Sequence, residues 1–268
     1  MKLILIFLLL ACVETQAQLS LTSSTNAPLT IVCNPAAPLT ITATNGYQPD
    51  YLSGLLYWFR LLEGTGNTSA DSSGNSGTSP INLHGVGTYT TWTTGPFGNA
   101  ISCDGTTSSY GTTGIGVSGG PTSLTVTAWV NYGSFANGYN TAVGADGNPS
   151  GANGSWALNF TTGGKFNPSV PVSAGQVTYA SGSHTLLTGV WYFIAITYDS
   201  TNGLIGYVNA QSDGTAAANG NAASDDAVIY VSRDQWWGFS STLTFGQLRY
   251  YNHALTSSQI TTVYNARY

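Results

Sequence analysis

The stretch at residues 190–209, VWYFIAITYDSTNGLIGYVN, constrains the fold more than any other part of the sequence. In an extended strand its side chains alternate between two faces, and both faces of the first half are apolar, which is typical of a strand buried on both sides. Residues 199–203 then provide turn chemistry, because Gly203 can take a positive φ. The pattern predicts a β-hairpin at the centre of the fold, with partner strands beside it and further layers above and below.

The sequence from residue 54 onward is a series of short strand-like segments. Residues 124–132 (LTVTAWVNY) alternate cleanly, and residues 243–251 (LTFGQLRYY) form the last long segment. Short strands separated by Gly, Asn and Ser turns favour a sandwich or jelly roll. One short helix is predicted at the C-terminus, where Thr256 and Gln259 form a capping box ahead of apolar residues at helical spacing.

Charged residues are scarce. Only 6% of the residues are Asp, Glu, Lys or Arg, far below the ~25% that is usual for globular chains. The formal net charge is −5, and the 6 Lys and Arg residues form no basic run, which argues against nucleic-acid binding. Because low charge weakens the repulsion between molecules, we expect the protein to tolerate self-association.

Residues 1–17 are predicted to be a secretory signal peptide. Lys2 precedes a short apolar core, and the sequence TQA at residues 15–17 resembles a cleavage site before Gln18. The mature protein is therefore expected outside the cell or at the cell surface. A second interpretation is a lipobox that ends at Cys12, which would make this residue a lipid anchor. No segment reaches the ~18 apolar residues of a transmembrane helix.

Two cysteines remain in the predicted mature chain, Cys33 and Cys103. In an oxidising compartment they could form a disulfide. The alternative is a pair of buried thiols, and the sequence leaves both interpretations open.

Residues 18–50 are predicted to form an extended N-terminal arm with a short internal repeat. The motif L-x-[L/I] recurs every ten residues, as Leu19 and Leu21, Leu29 and Ile31, and Leu39 and Ile41. The repeat predicts β-type segments, which the neighbouring prolines restrict to edge or interrupted strands. Because no aromatic residue precedes Tyr47, the arm cannot build a core alone. It either folds on its own domain or adds as a donor strand to the sheet edge of a neighbouring molecule.

Four segments of the remaining chain together resemble a known family. They are the opening strand with its D-S-S-G-N loop (54–59 and 71–75), the G-P-F-G-N-A segment leading to Asp104-Gly105, the hairpin of residues 190–209, and the closing strand and helix (247–260). In this order they resemble the laminin-G-like, concanavalin A-like lectin/glucanase superfamily over residues 54–268. The resemblance implies an antiparallel jelly-roll β-sandwich, which we expect to span residues 51–268.

The sequence shows no recognisable set of catalytic residues. Glycoside hydrolysis needs two positioned carboxyl groups, yet Glu63 is the one glutamate after the predicted cleavage site. The histidines, His84, His184 and His253, are isolated in the sequence, so no nucleophilic triad can be recognised. We therefore predict that the protein is not an enzyme and has no catalytic residues.

A calcium-binding loop is one interpretation of residues 146–151. Asp146, Asn148 and Ser150 imitate the spacing at the start of an EF-hand loop. The pattern fails at its twelfth position, Ala157, so a polar hairpin loop is the alternative. Structural calcium is the one cofactor that the sequence suggests.

Aromatic residues in polar surroundings indicate a sugar-binding site. Flat rings with nearby polar groups are what a neutral glycan requires. The candidates are Trp236, Trp237, Trp92, Tyr139 and Tyr110, each flanked by polar or glycine residues. The alternative is that these rings close the ends of the sandwich.

Two functions follow from these patterns. The first is a secreted, non-catalytic surface protein whose sandwich acts as an adhesion or carbohydrate-binding module, with a glycan or cell-surface ligand as its partner. The alternative is a self-assembling structural subunit of an extracellular filament or surface layer, a homo-oligomer joined by strand addition of the arm.

Overall fold

The computed structural model describes residues 18–22, 28–32, 50–75, 78–113, 122–136, 140–146, 156–172, 175–178, 182–222, 228–233 and 240–266. The chain divides into two compact units, Met1–Ser53 and Gly54–Tyr268. Within these described ranges, no helix is long and apolar enough to cross a membrane.

The first unit contains a two-stranded antiparallel sheet. Strand β1 (Gln18–Thr22) pairs with β2 (Pro28–Val32), so that Leu19 lies opposite Ile31 and Leu21 opposite Leu29. A short 3₁₀ helix (Asp50–Leu52) ends the unit. The first two L-x-[L/I] segments are therefore strands, and they pair with each other. The third segment, with Leu39 and Ile41, lies outside the described residues.

The second unit contains sixteen described strands and one helix. In chain order they are β3 (Leu55–Phe59), β4 (Thr68–Ser69), β5 (Ile81–His84), β6 (Thr90–Gly95), β7 (Gly98–Asp104), β8 (Tyr110–Thr113), β9 (Leu124–Tyr132), β10 (Asn140–Asp146), β11 (Ala157–Phe160), β12 (Ser169–Val172), β13 (Gly175–Thr178), β14 (Trp191–Asp199), β15 (Gly203–Val208), β16 (Gln211–Ala216), β17 (Val228–Val231), β18 (Thr242–Tyr251) and α1 (Ser257–Asn265).

These strands form two sheets. Sheet I has the order β16-β15-β14-β9-β18-β7-β6, and β3 also pairs with β18; sheet II has the order β13-β12-β11-β10-β17-β8-β5-β4. The ladder between β18 and β9 is antiparallel, as is the ladder between β10 and β17. The predicted antiparallel jelly-roll β-sandwich is confirmed.

The predicted central hairpin is β14 and β15. Strand β14 lies between β9 and β15 in sheet I, and Gly203 takes φ 74° in the turn. Ile194 and Ile196 enter the core between the sheets. On the opposite face, Phe193 packs against Trp129, with ring centroids 5.7 Å apart, and against Tyr264 of α1 at 5.5 Å. Because α1 covers this outer face, the strand is buried on both sides as predicted.

The family-like loop at residues 71–75 completes the free edge of β3. Asp71 Oδ1 accepts a hydrogen bond from Trp58 N–H at 2.7 Å, and Asn75 Nδ2 donates to the Leu55 and Leu56 carbonyls at 2.8 and 2.9 Å. These side chains replace the hydrogen bonds that another strand would make. The D-S-S-G-N motif therefore has a structural role in this chain.

The predicted C-terminal helix is confirmed together with its cap. Thr256 Oγ1 accepts a hydrogen bond from Gln259 N–H at 3.3 Å, and Gln259 Oε1 accepts one from Thr256 N–H at 2.8 Å. This reciprocal pair is a capping box. Ile260 and Val263 are buried, so the apolar stripe of the helix faces the sheet.

The loops gather at two ends of the sandwich. At one end of the sandwich lie the ends of strands β5, β7, β9, β15 and β17 and the starts of strands β6, β8, β10, β14, β16 and β18. We call it the Arg233 end, after the residue two positions beyond β17. The register supports this arrangement, because His84 at the end of β5 lies opposite Tyr110 at the start of β8, and Asp104 lies opposite Thr242. The opposite end contains the β14–β15 turn, and we call it the Gly203 end.

Candidate carbohydrate-binding site

Three of the predicted ring residues, Trp236, Trp237 and Tyr139, lie outside the described residues. Their described neighbours are informative. Arg233 and Ser240, which flank residues 234–239, form an isolated β-bridge, and Asn140, which follows residues 137–139, begins β10. All these flanking residues lie at the Arg233 end. The role of these three rings in ligand binding stays a prediction.

The calcium-like segment begins at the other end. Asp146 is the last residue of β10 and lies opposite Val228 at the start of β17, which places it at the Gly203 end. Asn148 and Ser150 lie outside the described residues. In the part of the chain that the structure describes, no group of three or more His, Cys, Asp or Glu side chains could hold a metal ion. The calcium site remains a prediction.

Tyr110 lies at the centre of a stack of side chains on sheet II. Its ring stacks on His84, with centroids 4.2 Å apart and an interplanar angle of 11°, and Arg233 Cζ lies 4.5 Å from its centroid. Strand β8 lies between β5 and β17, so His84 and Arg233 approach the ring from its two sides. Arg233 is held further by a 3.0 Å hydrogen bond from Nη1 to the Thr107 carbonyl. A ligand would meet the edge of Tyr110 rather than a free face.

The charge of this stack resides on Arg233. Burial, and next the nearby Arg233 guanidinium, lower the pKa of His84 below its ordinary value of ~6.5. The imidazole is consequently neutral at pH 7. A neutral ring can stack against Tyr110 without repelling the guanidinium on the other side.

Trp92 closes one edge of the sandwich. It lies on the edge strand β6, opposite Ile101 of β7, and packs half-buried against the core. Its indole N–H donates to the Gly66 carbonyl at 2.8 Å. These contacts favour the structural interpretation of this ring over the ligand-binding one.

Tyr89 was not among the sequence candidates, yet it is the one exposed aromatic side chain of the described residues, at 41%. It lies in the loop between β5 and β6. The Gly85 carbonyl accepts hydrogen bonds from the N–H groups of Thr88, Tyr89 and Thr90 at 3.1, 2.8 and 3.0 Å, and Gly85 takes φ 70°. The loop is therefore fixed, and it presents the ring to solvent in a preorganised position.

Polar groups surround this ring. The Tyr89 carbonyl accepts hydrogen bonds from Ser109 Oγ at 2.7 Å and Asp104 N–H at 3.1 Å, which join its loop to residues 104–109. The exposed polar side chains of that second loop are Asp104, Thr106, Thr107 and Ser108. We call Tyr89 and these four residues the Tyr89 patch; the stack of His84, Tyr110 and Arg233 lies beside it. A flat ring with hydroxyl and carboxylate groups around it matches the requirements of a sugar.

The sequence profile described as Laminin_G_3, concanavalin A-like lectin/glucanases superfamily, matches residues 104–261. The chain belongs to this superfamily. The match extends from the end of β7 to the first half of α1, which confirms the resemblance seen in the sequence. No curated protein sequence matches the chain.

Solved structures with a similar fold include the following three. Domain 4 of AbnA, a GH43 extracellular arabinanase from Geobacillus stearothermophilus in complex with arabinotriose, has a TM-score of 0.60 and 19% identity over 78% of this chain and 97% of that one. The ligand-binding domain of botulinum neurotoxin serotype D, in complex with N-acetylneuraminic acid, has a TM-score of 0.59 and 13% identity over 81% and 52%. Trypanosoma rangeli sialidase has a TM-score of 0.56 and 15% identity over 79% and 32%.

These similarities establish the fold. This chain spans nearly all of the arabinanase domain, about half of the neurotoxin chain and about a third of the sialidase chain. At such low identities, residue roles do not transfer between the proteins.

Carboxyl groups of this superfamily member bind nearby backbone. Glu63 Oε1 accepts hydrogen bonds from Ser69 Oγ at 3.0 Å and Ala70 N–H at 2.8 Å. Partial burial raises the pKa of Asp199, but hydrogen bonds from Asn202 and Thr201 outweigh it and leave the pKa below its ordinary value. A carboxyl group held ionised in a turn is a poor proton donor. The absence of enzymatic activity stays a prediction.

Cys103 is a free thiol with 1% exposure. Burial raises its pKa, against hydrogen bonds from Ser232, Ser109 and Thr90 that lower it. Such a thiol is unreactive because the thiolate is disfavoured. Cys33 lies outside the described residues, so the disulfide stays a prediction, although the environment of Cys103 favours the buried-thiol alternative.

Proposed function

We propose that this chain is a secreted, non-catalytic surface protein whose β-sandwich acts as an adhesion or carbohydrate-binding module through the Tyr89 patch. The observation that carries the proposal is the Tyr89 ring, exposed on a loop that three hydrogen bonds to the Gly85 carbonyl hold in place. A rigid, exposed aromatic face loses little conformational entropy when a sugar stacks on it.

The charges in and beside the Tyr89 patch support a neutral glycan as the ligand. Arg233 and Asp104 offset each other, and His84 is neutral at pH 7 because burial and Arg233 lower its pKa. Asp104 Oδ1 already accepts hydrogen bonds from Thr106 N–H and Oγ1 at 2.9 and 2.8 Å, so the carboxylate is oriented before a ligand arrives. An oriented carboxylate accepts hydrogen bonds from sugar hydroxyls without further ordering.

The fold relatives support the ligand class. The arabinanase domain is described with arabinotriose and the neurotoxin domain with N-acetylneuraminic acid. Two proteins of this fold that hold saccharides make a saccharide the first ligand to test for this chain. Their low identity leaves the position of the site to be argued from this chain's own residues.

A glycan array with the full chain tests the proposal, followed by titration calorimetry with the best ligand. Tyr89→Ala should weaken binding at least about tenfold, because it removes the stacking surface. The matched control is Leu187→Ala, which removes an exposed side chain from another loop at the same end and should leave the affinity unchanged. Unchanged binding by Tyr89→Ala would rule out the patch, and no binding to any glycan would contradict the function.

The second candidate function is assembly through the N-terminal unit. The observation that favours it is the β1–β2 sheet, whose two strands pair only with each other among the described residues. A two-stranded sheet is marginal by itself and has two edges open to further strands. Deleting residues 18–45 should abolish filaments seen by electron microscopy while glycan binding persists. A wild-type chain that stays monomeric at high concentration would exclude assembly.

A further inference from the structure

A second exposed surface lies at the Arg233 end, on the loop between β13 and β14. Leu187 is 63% exposed and Val190 is 42% exposed. In the described ranges, large hydrophobic side chains are exposed at only two other positions, Val86 and Tyr89, which belong to a different loop at the same end. Two neighbouring aliphatic side chains therefore protrude from the described part of the sandwich.

The backbone holds this loop in place. Leu186 is buried and its N–H donates to the Gly164 carbonyl at 2.9 Å, while Gly189 N–H donates to the Tyr132 carbonyl at 2.8 Å. Leu187 N–H also donates to the Tyr192 hydroxyl at 3.2 Å. Because three backbone N–H groups within residues 186–189 are hydrogen-bonded, the loop cannot rotate to bury the Leu187 side chain. The exposure is a fixed property of the loop.

A lysine flanks the aliphatic tip, and a histidine lies beside it. Lys165 forms a β-bridge with Thr185, and its Nζ donates to the Ser183 carbonyl at 2.9 Å. His184 is 44% exposed at its side chain, and its Nδ1 lies 2.8 Å from Asp213 Oδ1. The Asp213 side chain itself is fully buried. Its carboxylate orients the imidazole but faces no external ligand.

The chain segment that includes this loop contains no acidic residue. Residues 147–198 include no Asp or Glu, although the chain has a formal net charge of −5. Asp213, the carboxylate that contacts His184, is buried, so the charge that this loop can present to a partner is that of Lys165. A cation beside exposed apolar side chains favours an anionic partner surface.

We propose that Leu187, Val190 and Lys165, which we call the Leu187 patch, dock on the surface of an anionic lipid bilayer. The aliphatic side chains enter the boundary between headgroups and acyl chains, and Lys165 lies at the level of the lipid phosphates. Leucine and valine have no flat face on which a sugar could stack. Because the Tyr89 patch lies at the same end, both surfaces would face a cell together.

Vesicle co-sedimentation with the full chain tests this proposal. Mixed phosphatidylcholine and phosphatidylglycerol vesicles should bind the protein, and pure phosphatidylcholine vesicles should bind it much less. Leu187→Ser should reduce the bound fraction about tenfold, because it removes the largest inserted side chain. Lys165→Gln should reduce it about fivefold, and the loss should match the effect of added salt. Val86→Ser, an exposed valine on the other loop, is the matched control and should have no effect.

Three results would overturn the proposal. The first is no binding to either vesicle at low salt. The second is an equal loss in Val86→Ser and Leu187→Ser, which would make the interaction unspecific to this loop. The third is a concentration-dependent dimer in gel filtration that Leu187→Ser abolishes, since the patch would then contact a second copy of the chain. Glycan binding by Leu187→Ser reports whether the variant is folded.

Discussion

The Tyr89 patch and the Leu187 patch are built alike and present different chemistry. Each loop rests on a glycine with φ 70°, Gly85 for the first and Gly164 for the second. Backbone hydrogen bonds fix both loops at the Arg233 end, yet one presents a ring among hydroxyl groups and the other presents aliphatic side chains beside a lysine. The sandwich therefore determines where the loops lie, and a few side chains determine what each could bind.

The glycines provide the largest expected difference between the patches. A Cβ at Gly85 would lie 2.6 Å from the Ser108 carbonyl oxygen, and one at Gly164 would lie 2.7 Å from the Leu186 carbonyl oxygen. Gly85→Ala and Gly164→Ala should each lower the free energy of unfolding by about 2–4 kcal/mol, or about 5–10 °C in Tm. Gly85→Ala should abolish only glycan binding, and Gly164→Ala only vesicle binding.

Each loop offers its own control for these substitutions. Gly87 and Gly189 also have positive φ, at 84° and 77°, but a Cβ there would meet nothing within 4 Å. Gly87→Ala and Gly189→Ala should thus lower the free energy of unfolding only by the backbone strain, about 1 kcal/mol. If they lower Tm as much as Gly85→Ala and Gly164→Ala, the close contacts to the carbonyl oxygens are irrelevant.

Substitution of Asp213 should have an intermediate effect on stability and should weaken binding only at the Leu187 patch. It is the extra residue of a β-bulge in β16, between the pairs Gly206–Gly214 and Tyr207–Ser212. A bulge redirects its side chain, and here Asp213 Oδ1 accepts a hydrogen bond from His184 N–H at 2.7 Å. Asp213→Ala should lower the free energy of unfolding by about 1–3 kcal/mol.

Binding assays distinguish the local effect of Asp213→Ala from general destabilisation. Below its Tm the variant should lose most of its vesicle binding and keep wild-type glycan affinity. Asp213→Asn, which keeps an acceptor for the His184 N–H, should restore much of the stability. Equal losses in both binding assays would mean that the two patches are not independent.

Much of the framework could be predicted because it depends on local patterns. Two-sided apolar alternation located β14, and the spacing of Thr256 and Gln259 located the start of α1. The D-S-S-G-N motif was recognised as family-like, but its role was not, because Asp71 and Asn75 act on the edge of a strand more than ten residues away. Long-range hydrogen bonds of this kind leave no periodic signal.

The candidate site was harder to predict, as Trp92 and Tyr89 demonstrate. Both rings have threonine neighbours in the sequence TYTTWTT, and nothing in that pattern separates them. The pairing of β6 with β7 buries part of Trp92, whereas Tyr89 lies just before the strand and stays exposed. Whether each ring is exposed depends on the residue at which the pairing of β6 with β7 begins, and the residue types alone do not define that residue.

The smallest expected difference between the patches is a pH dependence of glycan affinity, which originates in His84 beside the Tyr89 patch. Burial, and next Arg233, lower the pKa of His84, and burial lowers the pKa of His253. The unfolded chain therefore binds protons at a higher pH than the folded chain. This contribution to stability is complete above the unfolded pKa of ~6.5 and is lost as the pH falls through it.

Urea unfolding between about pH 7.5 and about pH 5.5 measures this effect. The slope per histidine should stay below the ~1.4 kcal/mol per pH unit that one full proton produces. His84→Gln should remove its share of the slope and His253→Gln the rest, but only His84→Gln should flatten the fall in glycan affinity. That fall is expected because a protonated His84 repels Arg233 across Tyr110 and disturbs the stack beside Tyr89. An unchanged pH profile of glycan affinity in His84→Gln would separate the stack from the binding surface.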